Sequence, residues 1–180
     1  MENKTTWVID PAHTEVAFKV KHLMITNVKG IFSDFTAAVS TSGDDFSTAD
    51  INFSLKPASI STGNADRDAH LRSADFFDVE NYPELKFTGS SLKPKSDDEY
   101  VLTGDLTIKG ISKPVNLDVE FGGIVADPWG NEKAGFSING KINRKDWGLN
   151  WNAALEAGGV LVGEEVKISA DIELLKVKAS

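Results

Sequence analysis

Cysteine is absent from the 180-residue chain, which excludes disulfides, thiolate metal sites and thiol catalysis and leaves the redox compartment unspecified. Positive charge is in deficit: 19 Lys and Arg face 27 Asp and Glu, for a net charge of -8, and no basic run occurs. Nucleic-acid binding and electrostatic membrane anchoring both draw on clustered Lys and Arg, so neither partner is expected. Long hydrophobic runs are missing as well; nothing approaches the roughly 18 apolar residues of a membrane-spanning helix. The start, Met1 to Thr6, is polar and passes directly into strand-like sequence, so no signal peptide is expected. As given, the chain reads as cytoplasmic; a trimmed periplasmic protein would look the same.

Catalytic and metal-binding patterns are equally sparse. The three histidines, His13, His22 and His70, lack the H-x-H or H-x-x-x-H spacing of a metal pair, so no metal site is expected. Asp10 and His13 lie near hydroxyl residues but without a G-x-S-x-G elbow. Asp75 and Asp78 flank Phe76-Phe77 on one short segment, whereas paired carboxylates of a sugar-cleaving site sit across a cleft. Gly158-Gly159 lacks the Lys-Ser/Thr sequel of a P-loop. The chain is therefore not expected to be an enzyme or to hold a cofactor.

What is present is alternation. With 41% hydrophobic and 26% charged residues, the composition is that of one globular domain spanning residues 1–180, without repeats or linkers. Leu102, Leu106 and Ile108 oppose Thr103, Asp105 and Thr107; Val115, Leu117 and Val119 oppose Asn116, Asp118 and Glu120. A period of two places one face of a strand in an apolar interior and the other in water. The same period marks Val16, Phe18, Val20 and His22, a strand from Val28 to Ser40, the Ala49–Leu55 run, Leu85 and Phe87, Phe136–Ile142, and Val166–Leu174. About eight antiparallel strands result. One segment breaks the pattern: Asn64 to Arg72 has helical spacing, with Asn64 as cap, Asp66 and Asp68 in the first turn, and Arg67, His70 and Leu71 on one side.

Eight such strands build a sandwich or a barrel. Glycines within strand-like runs (Gly30, Gly89, Gly104, Gly140) favour a barrel, because they permit sharp coiling or the close approach of a ligand. Arg67 and His70, near Phe76, Phe77 and Tyr82, suit an amphiphile whose acidic head stays at the mouth of the interior. The alternative is an internal ion pair of Arg67 with Asp75 or Asp78. His22 reads either as a hydrogen-bonded histidine at the rim of the core or as a ligand contact.

Several blocks resemble one family in order along the chain. They are Trp7-Val8-Ile9-Asp10-Pro11-Ala12-His13-Thr14, Arg67-Asp68-Ala69-His70-Leu71, Asp75-Phe76-Phe77-Asp78, Gly104-Asp105-Leu106-Thr107-Ile108-Lys109-Gly110, Asn143-Arg144-Lys145-Asp146-Trp147-Gly148 and Gly163-Glu164-Glu165-Val166. Together they resemble the YceI, or polyisoprenoid-binding, family. The resemblance implies an all-β, lipocalin-like, extended antiparallel barrel of eight strands, with the short helix inserted between strands and a long apolar tunnel. It implies binding, storage or transport of a long amphiphilic lipid such as a polyprenyl diphosphate or quinone, and leaves a homodimer open. Val16, Phe18, Val20, His22, Phe32, Phe53, Phe87, Leu106 and Phe136 become candidate tunnel wall, and Arg67 and His70 candidate head-group contacts. Phe76, Phe77 and Trp147 either line the tunnel or plug its ends, and Trp129 and Trp151 are candidates for a dimer contact. Two other readings stand beside this one: an enzyme acting on the bound lipid through His22 or His70, and a solid-core interaction module.

Overall fold

The computed structural model describes residues 4–153 and 161–177; the Gly158-Gly159 pair lies outside them. The strands are β1 (Lys4–Ile9), β2 (Glu15–His22), β3 (Thr26–Phe32), β4 (Phe35–Ser42), β5 (Asp45–Leu55) and β6 (Ile60–Ser61). After helix α1 (Ala65–Arg72) follow β7 (Leu85–Pro94), β8 (Glu99–Ile108), β9 (Ile111–Ala126), β10 (Glu132–Asn143) and β11 (Val162–Lys176). All form one antiparallel sheet in the order β1-β4-β5-β7-β8-β9-β10-β11-β2-β3-β6, and β1 also pairs with β11. That pairing closes a ring of eight strands.

Among the described residues, eleven strands fill eight positions because three of them prolong their predecessors. β11 pairs with β1 through Leu174–Lys176 and with β2 through Val166–Asp171, so β1 and β2 lie end to end along one edge. The joint is a 3-10 turn at Pro11–His13, capped by Asp10, whose carboxylate accepts from Ala12 N. Pro11 has no amide hydrogen to give a ladder and fits the first position of such a turn. The expected Val28–Ser40 strand is likewise interrupted at Ser33-Asp34, dividing β3 from β4. Pro57 begins a second 3-10 turn between β5 and β6.

Alternation is retained where sequence placed it. Leu102, Leu106, Ile108, Leu117 and Val119 are buried, while Asp105, Asn116, Asp118 and Glu120 are exposed. Lys109 and Gly110 form the turn between these two strands, with φ of 52° and 75°, and β9 already includes Pro114, opposite Asp105.

The in-strand glycines serve the neighbouring side chains. A Cβ at Gly30 would overlap the Phe18 ring, its cross-strand partner, and one at Gly140 would overlap Leu117 Cδ2. At Gly104 the Phe87 ring would lie 2.5 Å away. The space each glycine vacates is filled by a wall residue laid over the strand, rather than by the approach of a ligand to the backbone.

Candidate functional site

The ring encloses a cavity of about 380 Å³. Its walls come from every strand position, so the barrel is not packed solid. One end of the interior is closed by an aromatic plug whose rings come from β1, β5, β9 and β10. Trp7 is fully buried there, its ring 4.9 Å from that of Phe46. Phe46 lies 4.9 Å from Phe136 and 5.4 Å from Phe121, and Phe121 stacks on Phe136 at 4.9 Å. The indole Nε1 of Trp7 donates to Thr41 Oγ1 at 3.0 Å, which satisfies its one polar atom without opening the plug to water.

The opposite end is built by the β2–β3 hairpin, α1 with its following loop, and the segments around Arg144 and Trp151. Among the described residues, the charged or imidazole residues at the cavity lining are all basic: Lys21, His22, Arg67, His70 and Arg144, of which Lys21 is itself exposed to solvent. No carboxylate lines it among the described residues.

Helix α1 positions two of these groups. Asn64 caps it, its side chain accepting from Arg67 N at 3.0 Å. The buried Asp68 accepts from Thr62 N at 2.8 Å and Thr62 Oγ1 at 2.6 Å. Because the Thr62 hydroxyl donates to Asp68, its lone pairs are free for Arg67, whose Nε donates to Thr62 Oγ1 at 2.7 Å while Nη2 donates to Thr62 O at 2.8 Å. The guanidinium is thus oriented through neutral oxygens. The alternative pairing of Arg67 with Asp75 or Asp78 does not occur. Asp75 lies 2.9 Å from His70 Nε2 instead, and Asp78 accepts from Asn81. The His70 ring meets Trp151 edge-on at 4.5 Å and Phe76 at 5.2 Å.

Arg144 is 3% exposed, and its hydrogen bonds all end on backbone carbonyls: Nε on Gly163, Nη1 on Leu149 and Trp151, Nη2 on Val162. Burial pushes its pKa below the ordinary arginine value, and the charge of Glu164 offsets part of that shift. Sequence reading left this residue without a role, since nothing in Asn143-Arg144-Lys145 distinguishes a buried guanidinium from a surface one. Phe46, Lys21 and Trp151 were also missed. Trp151, expected at the surface, packs half-buried in the cavity wall; Trp129, 80% exposed, is the indole that faces solvent.

All eleven residues proposed as tunnel wall or head-group contacts, from Val16 to Phe136 and including Arg67 and His70, line this one cavity. Phe76 and Phe77 line it too. Trp147 is instead buried outside the lining, its Nε1 donating to Leu106 O at 2.8 Å.

The remaining cluster of chemical interest is on the wall near the plug. Potential metal ligands on Asp10, His13 and Glu173 lie within 4.8 Å of one another. Lys133 Nζ already stands among them, 3.0 Å from Asp10 Oδ2 and 3.5 Å from Glu173 Oε2. The ammonium thus offsets carboxylate charge at the place an ion would take, and His13 Nδ1 lies 2.9 Å from Asp10 Oδ2.

The class defined by this geometry is a closed antiparallel barrel with an internal apolar cavity and a basic open end. The chain belongs to the YceI-like domain family, whose profile matches residues 7–174. It is 42% identical over 170 residues to a UPF0312 protein of Staphylococcus aureus, covering 94% of this chain and 96% of the other. The crystal structure of the Campylobacter jejuni YCEI protein is 35% identical, with a TM-score of 0.76 and coverage of 94% and 97% of the two chains. A polyisoprenoid binding domain from Saccharophagus degradans shares the fold at a TM-score of 0.67 and 13% identity, covering 97% and 98%. Among the described residues, no helix is long and apolar enough to cross a membrane.

Proposed function

We propose that the protein binds and carries a long amphiphilic lipid of the isoprenoid class, with its tail in the cavity and an anionic head at the open end, and does not turn it over. The observation that carries this reading is the polarity of the lining: an apolar wall with an aromatic cluster toward one end and basic residues, Arg67, His70 and Arg144 among them, at the other. A volume of about 380 Å³ lies within the range of small-molecule sites, roughly 300–1,000 Å³. Burial of each methylene contributes roughly 0.8 kcal/mol before ordering costs, so most of the affinity resides in the tail. Arg67 and Arg144, oriented by neutral oxygens, then select the sign of the head. The name of the Saccharophagus domain agrees with this class of cargo.

Native mass spectrometry of protein purified from its own host without detergent, followed by organic extraction, tests the proposal. The expected result is a bound lipid with a prenyl or similar tail and an acidic head, recovered with unchanged mass after prolonged incubation. Protein that is consistently empty and takes up no long-chain isoprenoid would sink the idea, and steady conversion of the lipid would replace carriage by catalysis.

A further inference from the structure

The geometry points to a docking surface for an anionic lipid bilayer, made by the β2–β3 hairpin and the lysine row beside it. At the hairpin tip Leu23, Met24 and Ile25 are 39%, 53% and 77% exposed. Leu23 and Met24 have φ of 55° and 64°, a left-handed turn that Asn and Gly adopt far more readily than bulky apolar residues. A tip built only for water has no use for three apolar side chains held in that conformation.

The charge beside the tip is opposite to that of the whole molecule. Lys29 pairs in register with Lys19, Lys19 with Lys167, and Lys167 with Lys141, so four exposed lysines form one row across β3, β2, β11 and β10. Like charges directly opposite one another destabilise a sheet. Glu15 partners Lys29 at 3.1 Å and Glu165 partners Lys141 at 3.8 Å, while Lys19 and Lys167 have no carboxylate partner among the described residues. At about 3.3 Å per residue, Lys19 and Lys29 stand roughly 13 Å behind Leu23 and Ile25, which places the row among headgroups once the tip sinks by about 5–10 Å. Sequence reading missed this surface because net charge sums over the chain, and the row is assembled from four separate strands.

The combination favours a bilayer over other occupants. Duplex nucleic acid would use the lysines but not the apolar tip, and a second copy meeting this face symmetrically would set lysine row against lysine row. Docking here brings the open end of the cavity to the membrane, so that a tail enters without crossing water. That use rests on the proposed function; docking itself does not, and lipid-free protein separates the two.

Flotation of the full chain with phosphatidylcholine vesicles, with and without a third phosphatidylglycerol, tests the surface. Binding to the anionic vesicles only, weakened by salt, is expected. The Lys19→Gln/Lys167→Gln variant should bind about thirtyfold more weakly, at roughly fivefold per lysine, and Met24→Ser/Ile25→Ser about tenfold more weakly. Equal binding to neutral vesicles, or wild-type binding by both variants, would overturn the proposal. So would a tip variant that changes only the sedimentation coefficient, which would assign the surface to self-association, or DNA binding that depends on the lysines and ignores the tip.

Discussion

The two ends of the barrel interior are made from different kinds of interaction. At the plug, four aromatic rings lie within 4.9–5.4 Å of their neighbours and Trp7 is wholly buried. At the open end, cationic side chains are oriented by single hydroxyls and backbone carbonyls, and His70 is held by one exposed carboxylate. Burial of these rings stabilises the fold, and under the proposed function the plug also limits how deep a tail can reach. The other end contributes less to stability, and under the same proposal its basic residues meet the head. Family blocks are divided accordingly: Trp7 to Thr14 contributes to the plug and builds the β1–β2 joint, whereas Arg67, His70 and Leu71 line the cavity.

The sharpest way to break this contrast is Trp7→Ala. Removing a fully buried indole should cost about 3–5 kcal/mol, read as a lower denaturation midpoint in urea, with head-group preference among bound lipids unchanged. A cost below about 1 kcal/mol would show that the plug is not the stabilising end. Phe46→Ala attacks the same end through length: trimming the ring lengthens the cavity, so the preferred tail should grow, with roughly fourfold tighter binding for each additional buried methylene. Competition between isoprenoids of increasing length reads the shift, and an unchanged optimum would place the depth limit elsewhere.

Arg67→Gln tests the other end. Loss of a charged hydrogen bond to an anionic head should weaken acidic lipids by about tenfold or more relative to the matching alcohols, while the unfolding free energy read from urea denaturation falls by no more than about 1 kcal/mol. A variant that loses stability but keeps its preference for acids would make Arg67 a structural residue joined to Thr62 and Asp68.

Much of this division was legible in the sequence, and the limits are physical. Period-two alternation located the walls, because every strand has one apolar face, and the helix was readable from its Asn64 cap. The breaks at Pro11–His13 and Ser33-Asp34 were not, since each interrupts a strand without ending its direction. Arg67 and His70 were legible as a pair on one helix face. Arg144 was not, because its burial follows from carbonyls supplied by Leu149, Trp151, Val162 and Gly163, whose convergence no local spacing reveals. Trp151 was misplaced for the same reason: its partners are a helix histidine and Phe76, distant in sequence.

The smallest expected effect is one of pH, and it belongs to the β1–β2 joint near the plug. His13 first, then Lys133, hold the Asp10 carboxyl well below the usual carboxylate range, from 2.9 and 3.0 Å. Because the folded pKa lies under the unfolded value of about 3.9, the folded state binds fewer protons. The contribution of Asp10 is therefore complete above about pH 4 and is lost as pH falls toward the folded value. Lys133 has the opposite sign: the hydrogen bond to Asp10 raises its pKa, so its contribution is complete below the ordinary lysine value and is lost as pH rises through the folded one. Asp10→Asn should accordingly flatten the fall in urea midpoint between neutral pH and about pH 3, whereas Arg67→Gln, at the other end, should leave that fall intact. Retention of the full acid dependence by Asp10→Asn would move its origin away from the joint, and an equal flattening by both variants would mean that the two ends share one electrostatic network.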